Sequence, residues 1–220
     1  MGRAPWRDAL PAAQWALIAS LLLAIGLANI AQPYPELAPL QHAPTVLLAL
    51  VAPWLLRRWP VSTTCVTLLW LFLLLHTLGG RYIYSYVPYD GWFAALTGAA
   101  VSDPLGVDRN SYDRLAHFMF GLLVTPFLAE VAQRYGGMGR RGGWFLGFAL
   151  VGLLGALYEV FEWLLTLALA DGTADYYNGQ QGDMWDPQKD MAIAQLGSGL
   201  AWLTAVLRHR TSAAREMPIR

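Results

Sequence analysis

Apolar residues in this chain gather into six long runs rather than into short alternating patches. The runs cover about residues 14–31, 37–56, 61–78, 112–132, 144–170 and 187–207. A helix needs about 20 residues to cross the roughly 30 Å hydrocarbon core of a bilayer, and each run comes close to that length or exceeds it. The pattern therefore predicts an all-α, polytopic transmembrane bundle of six spans filling residues 1–220 as one membrane domain. The second run is the weakest, because Gln41, His42, Pro44 and Pro53 dilute it. A kinked or re-entrant segment is the open alternative there.

The connections carry their own pattern. Residues 79–111 form the longest, far beyond a simple helix turn, and loops of that length usually have internal structure or a function. It holds Tyr82, Tyr84, Tyr86, Tyr89, Trp92 and Phe93. An aromatic belt at headgroup depth is one reading. The other is a lid over a polar site, with Trp92–Ala100 as a short surface helix.

Composition agrees with the class: 56% of residues are apolar and 14% charged, against about 25% charged in soluble domains. Fifteen basic and fifteen acidic residues cancel, so net charge offers nothing to nucleic acid. Their distribution says more. With both termini cytoplasmic, six spans put Arg3, Arg7, Arg57, Arg58, Arg134, Arg140, Arg141, Arg208, Arg210, Arg215 and Arg220 inside. Only Arg81, Arg109, Arg114 and Lys189 then fall outside, as the positive-inside rule requires. The first helix is expected to stay uncleaved. Cys65, the one cysteine, reads as a buried packing residue.

The acidic residues skew the other way, and several interrupt the apolar runs. Asp113 and His117 are spaced to share one helix face, near the start of the fourth span, where an aspartate also suits the helix dipole. Arg114 lies between them as a headgroup contact or counter-ion. Glu159 and Glu162 share a face of the fifth span. Two ionised carboxylates that close repel, so they hold a proton or share a cation. Asp183, Asp186 and Asp190 lead into the sixth span. Asp186 before Pro187 reads as a helix N-cap, which leaves Asp190 unexplained. Ionisable groups at membrane depth are costly and usually face a polar cavity or one another. In this topology all of them approach the outer side.

His76, His117, Glu159, Glu162 and Asp190 could together offer nitrogen and oxygen ligands to a divalent metal. No His-Glu-x-x-His element supports that reading, and no nucleophile stands out. Helix-start, capping and structural hydrogen-bonding roles remain open for the same residues.

Four segments carry a resemblance. They are His76–Tyr84, Arg109–Phe118, Tyr158–Trp163 and Gly179–Met191. In these the chain resembles the YjdF-like family of uncharacterised bacterial inner-membrane proteins, across most of its length. That likeness implies relatives and a location but no reaction. A looser likeness links the last three spans to VanZ-like membrane proteins through Asp113-Arg114, His117-Phe118, Glu159 or Glu162, and Asp190 with Gly197. It suggests a lipid or cell-wall precursor as ligand. The leading expectation is an outward-facing polar pocket for a lipid headgroup, envelope precursor or cation. A membrane-embedded, metal-assisted lipid hydrolase and a proton-linked transporter are the alternatives. Nothing in the chain points to an oligomeric state.

Overall fold

A computed structural model describes residues 9–106, 109–168 and 180–215. Its elements are α1 (Ala12–Ala28), α2 (Ala38–Arg58), α3 (Thr63–Arg81), the short α4 (Tyr89–Thr97), a 3-10 turn at Asp103–Leu105, α5 (Tyr112–Tyr135), α6 (Arg140–Ala168) and α7 (Asp186–Arg215). Strands are absent among the described residues. Asp8, Asp108, Asp171, Asp175, Glu216, the arginines at 3, 7 and 220, and the expected end of the fifth span at 170 lie outside them.

Five helices, α2, α3, α5, α6 and α7, are long and apolar enough to cross a membrane. Large apolar side chains such as Leu23, Leu47, Leu50, Leu157, Trp163 and Leu203 stand exposed on them and on α1, an outer surface suited to hydrocarbon rather than water. The expected weakness moves from the second helix to the first. Pro44 and Pro53 sit inside α2 without ending it, whereas α1 has 17 residues, about 25 Å of rise. Arg81 secures the far end of α1. Its guanidinium donates to the carbonyls of Ala28 (2.5 Å), Ile30 (2.8 Å) and Ala31 (3.3 Å), groups that a helix C-terminus leaves unpaired.

α5 is the central helix, packed against α3, α6 and α7. Its contact with α7 is backbone to backbone. A Cβ on Gly121 would stand 1.9 Å from the Ala194 carbonyl oxygen, and one on Gly197 would stand 2.1 Å from that of Phe118. The reciprocal glycines let the axes close, as small residues do in membranes. Below them the Thr125 and Ser198 hydroxyls share a fully buried 2.6 Å hydrogen bond. α2 packs only on α1 and α3 among the described residues, so α2 and α6 flank the α3–α5 pair without touching.

The opposite end of the bundle is tied through α3. Glu130 accepts from the Ser62 backbone N–H (2.6 Å) and hydroxyl (2.5 Å) and pairs with Arg134 at 2.7 Å. Cys65 is buried beside this anchor.

Candidate functional site

α5 begins at Tyr112, which puts Asp113 in its first turn and His117 one turn deeper. α7 begins at Asp186, so Asp190 enters the bundle one turn in. The close α5–α7 seam carries these residues toward each other, and α6 adds Glu159 from its apolar length. One ligand atom each from Asp113, His117 and Asp190 lie within 4.8 Å of one another. His117 Nε2 is 3.7 Å from Asp113 Oδ1 and 3.9 Å from Glu159 Oε1. Both distances exceed hydrogen-bond reach. Asp190 is 2% exposed and Glu159 9%, and Asp190 Oδ1 and Glu159 Oε1 have no hydrogen-bond partner. Buried polar atoms left this way are rare and call for an occupant or a role.

The other candidates separate from this cluster. Arg114 Nη2 donates to Asp183 Oδ2 (2.6 Å) and Asp186 Oδ1 (2.9 Å). Arg109 Nη1 reaches Asp186 Oδ1 at 2.5 Å and Asp183 at 3.6 Å. Lys189 adds a 2.6 Å contact to Asp183. The Lys189 ammonium, then the Arg114 guanidinium, hold the Asp183 carboxyl well below the usual carboxylate range. Together they form an ion-pair clip that locks the approach to α7 onto the start of α5. The capping role expected of Asp186 gives way to this pairing, because its Oδ1 serves two arginines across the seam. Arg114 is a counter-ion. Arg109 was not a candidate in the sequence; its place five residues before Arg114 carries no helical signal.

Glu162, half-buried, sits one turn beyond Glu159 and beside Tyr158. His76 lies apart from the metal-compatible group. Its Nε2 is 3.2 Å from the Gln41 carbonyl oxygen, and its Nδ1 meets the Tyr84 hydroxyl.

That last contact shows how the long connection is built. Tyr84 lies against bare Gly79, where a Cβ would come within 2.6 Å of its ring. Ile83 and Tyr84 hold φ values of 44° and 57° to make the turn, a costly backbone region for such residues. Tyr84 and Val87 are buried with Tyr112 and Ala116, and the Tyr89 hydroxyl accepts from the Ser111 backbone N–H at 2.9 Å. The connection thus packs over the N-terminal end of α5 instead of lying wholly in an aromatic belt. Its surface helix is α4, three residues earlier than expected, entered after Pro88 and stopped at Gly98 with φ 84°. Asp90 accepts from the Ser102 hydroxyl and from the backbone N–H groups of Val101 and Ser102. Those bonds, the hydroxyl first, lower its carboxyl below the ordinary value.

Beneath this cover lies a cavity of about 360 Å³, walled by α2, α3, α5 and α6. Pro44, Leu48, Phe72, Phe120 and Leu154 make it apolar, while His76, Tyr84, Asp113, His117 and Tyr158 line its polar part. Leu48 of α2 and Leu154 of α6 line it and are both exposed, on two helices that do not pack on one another.

The family model described as "Predicted membrane protein (DUF2238)" matches residues 13–211, a stretch containing the clip, the cluster and the cavity. The chain belongs to this family. It is 38% identical over 145 residues to the inner membrane protein YjdF of Escherichia coli (strain K12). That match spans 64% of this chain and 64% of the relative's own length, a little under two thirds of each. No solved structure matches the chain. The family, the relative and the apolar helices together make it a multi-pass protein of a bacterial inner membrane.

Proposed function

We propose that this DUF2238 protein binds a membrane lipid, seating the polar headgroup at Asp113, His117, Glu159 and Asp190 and the start of the chain in the apolar cavity. One observation carries the reading: a cavity with hydrocarbon-like walls ends at Asp113 and His117, behind which lie the under-satisfied acids Glu159 and Asp190, and two of its wall helices do not pack on one another. Ligand pockets commonly combine mostly apolar walls with a few convergent polar groups. The open flank at Leu48 and Leu154 gives a lipid a route from the bilayer without passing through water.

Orientation follows from charge. Eleven basic residues at one end and four at the other support cytoplasmic termini and a cavity near the periplasmic face. The α2 segment reads as a full span. Cysteines placed at Thr97 and Met138, with Cys65 buried, should react with impermeant reagent from the periplasm and the cytoplasm respectively.

The test uses the cavity wall. Gly155 lines it, and a Cβ there meets only Met191 at 3.9 Å, so a side chain can start at this position and the ring of Gly155→Phe should occupy cavity space. Purified wild-type protein should carry lipid that mass spectrometry detects, and Gly155→Phe should lose it while keeping its elution profile. Equal lipid in both would sink the reading. Lipid hydrolysis is a second reading, favoured by the donor set around His117 and tested by turnover of headgroup-labelled lipid. Transport has less support, because Glu130, the acidic residue of the inner half of α5, is committed to Ser62 and Arg134.

A further inference from the structure

Charge balance at the cluster leaves a deficit of positive partners. Arg109, Arg114 and Lys189 spend their short contacts on Asp183 and Asp186. Asp113, Glu159 and Asp190 gather around His117, with Glu162 beside Glu159 and Arg109 and Arg114 acting on Asp113 only from beyond ion-pair distance. Several carboxylates crowded at low dielectric repel strongly, and buried charges are tolerated when paired or bound to metal.

The spacing is compatible with a bound cation. Two ligands held at about 2.1 Å from one ion stand about 3–4 Å apart. His117 Nε2 lies 3.7 Å from Asp113 Oδ1 and 3.9 Å from Glu159 Oε1. These separations are too long for hydrogen bonds and right for donors around a cation. The unpartnered Glu159 Oε1 and Asp190 Oδ1 are independent signs, since each is a buried acceptor without a donor. His76 does not join, because Gln41 and Tyr84 occupy its two nitrogens.

We infer that Asp113, His117 and Asp190, with Glu159 as a fourth donor, bind one divalent transition-metal ion at the polar end of the cavity. One imidazole with carboxylates suits Zn²⁺ or Mn²⁺; imidazole is a poor match for Mg²⁺. Asp113 and His117 both line the cavity, so the ion is open to a ligand on that side. A lipid phosphate oxygen is the chemistry it would accept there. This last step rests on the lipid reading; the ion site does not.

The full-length protein, purified in detergent and stripped with chelator, is reloaded separately with Zn²⁺, Mn²⁺ and Mg²⁺. Metal content is measured by elemental mass spectrometry. Wild type should retain about one Zn²⁺ or Mn²⁺ per chain. Asp190→Asn and His117→Gln should each weaken binding at least about tenfold, and Glu159→Gln less. Circular dichroism and elution profile report whether each variant is folded, and Glu159→Gln provides a second variant where one is not. Substoichiometric Zn²⁺ and Mn²⁺ in reloaded wild type would overturn the assignment and leave protons as the occupants. Equal retention by folded Asp190→Asn and His117→Gln would overturn it too, as would Mg²⁺ occupancy matching that of Zn²⁺. Lipid is measured in the same samples. Metal retained in Gly155→Phe with lipid lost keeps the ion site, and lipid retained without metal removes the ion site while keeping the lipid reading.

Discussion

Two acidic groups lie side by side where α5 and α7 begin and are treated oppositely. In the clip, Asp183 and Asp186 meet Arg109, Arg114 and Lys189 at short distances. In the cluster, Asp190, Asp113 and Glu159 surround one histidine, and two of their oxygens bond to nothing. Asp186 and Asp190 are one helical turn apart, and both are 2% exposed. Burial alone therefore does not distinguish them; the supply of cations does. Compensated charge holds the helices together, and the uncompensated charge is where we propose that a ligand sits.

Substitutions at those two aspartates should separate the regions most sharply. Asp186→Ala removes the buried carboxylate shared by Arg109 and Arg114, leaving Asp183 as the clip's one acid for them, and should cost about 3 kcal/mol, seen as a lower unfolding temperature and less protein in the membrane. If Asp186→Ala unfolds like wild type, the clip does not hold the seam. Gly121→Ala tests whether the cluster depends on that seam. Its new methyl meets the Ala194 carbonyl and should cost about 1–3 kcal/mol, with metal and lipid retention falling together. Asp190→Asn should behave in the reverse sense. Removing one uncompensated charge should leave the stripped protein as stable as wild type or about 1 kcal/mol more stable, while binding is lost. A large destabilisation by Asp190→Asn would place it with the clip.

Tyr84→Phe should have a smaller effect, about 1 kcal/mol for the lost hydrogen bond to His76, measured by thermal unfolding. Acidification should matter least near neutrality. The Asp183 carboxyl titrates lower folded than unfolded, so its stabilisation is fully present above the unfolded value of about 3.9 and is lost only as pH falls toward the folded one. Unfolding temperatures of wild type and Asp183→Asn should therefore differ by the same amount at pH 6 and pH 8, both roughly two units or more above that value. A difference that grows between them would mean another group governs the clip.

Much of this arrangement is legible in the chain. The apolar runs mark the helices, the start of α5 at Tyr112 is where the pattern places it, and the Asp113–His117 spacing puts both on one face. The division of labour among Asp183, Asp186 and Asp190 is not legible. It depends on how far α7 sinks onto α5, which the Gly121–Gly197 contact determines across more than seventy residues of sequence. Arg109 lies outside any helix and enters the clip only through the fold. The His76–Tyr84 pairing needs a turn with two positive φ values, and ordinary propensities argue against that. The Asp186 cap was a sound local expectation overridden by a stronger distant pairing. The weakness assigned to α2 rests on Gln41, His42, Pro44 and Pro53; the two polar residues are buried in the bundle, and the prolines interrupt a backbone ladder without preventing the helix.

Those prolines matter in another way. α2 is fastened to α1 and α3 but to neither α6 nor α7, and Pro44 and Pro53 each remove a backbone hydrogen bond that would stiffen it. A small change in its tilt would widen or narrow the slot beside Leu48 while leaving the glycine-locked pair undisturbed. On the lipid reading proposed above, passage through the side of the bundle and rigidity at its heart fall to different helices.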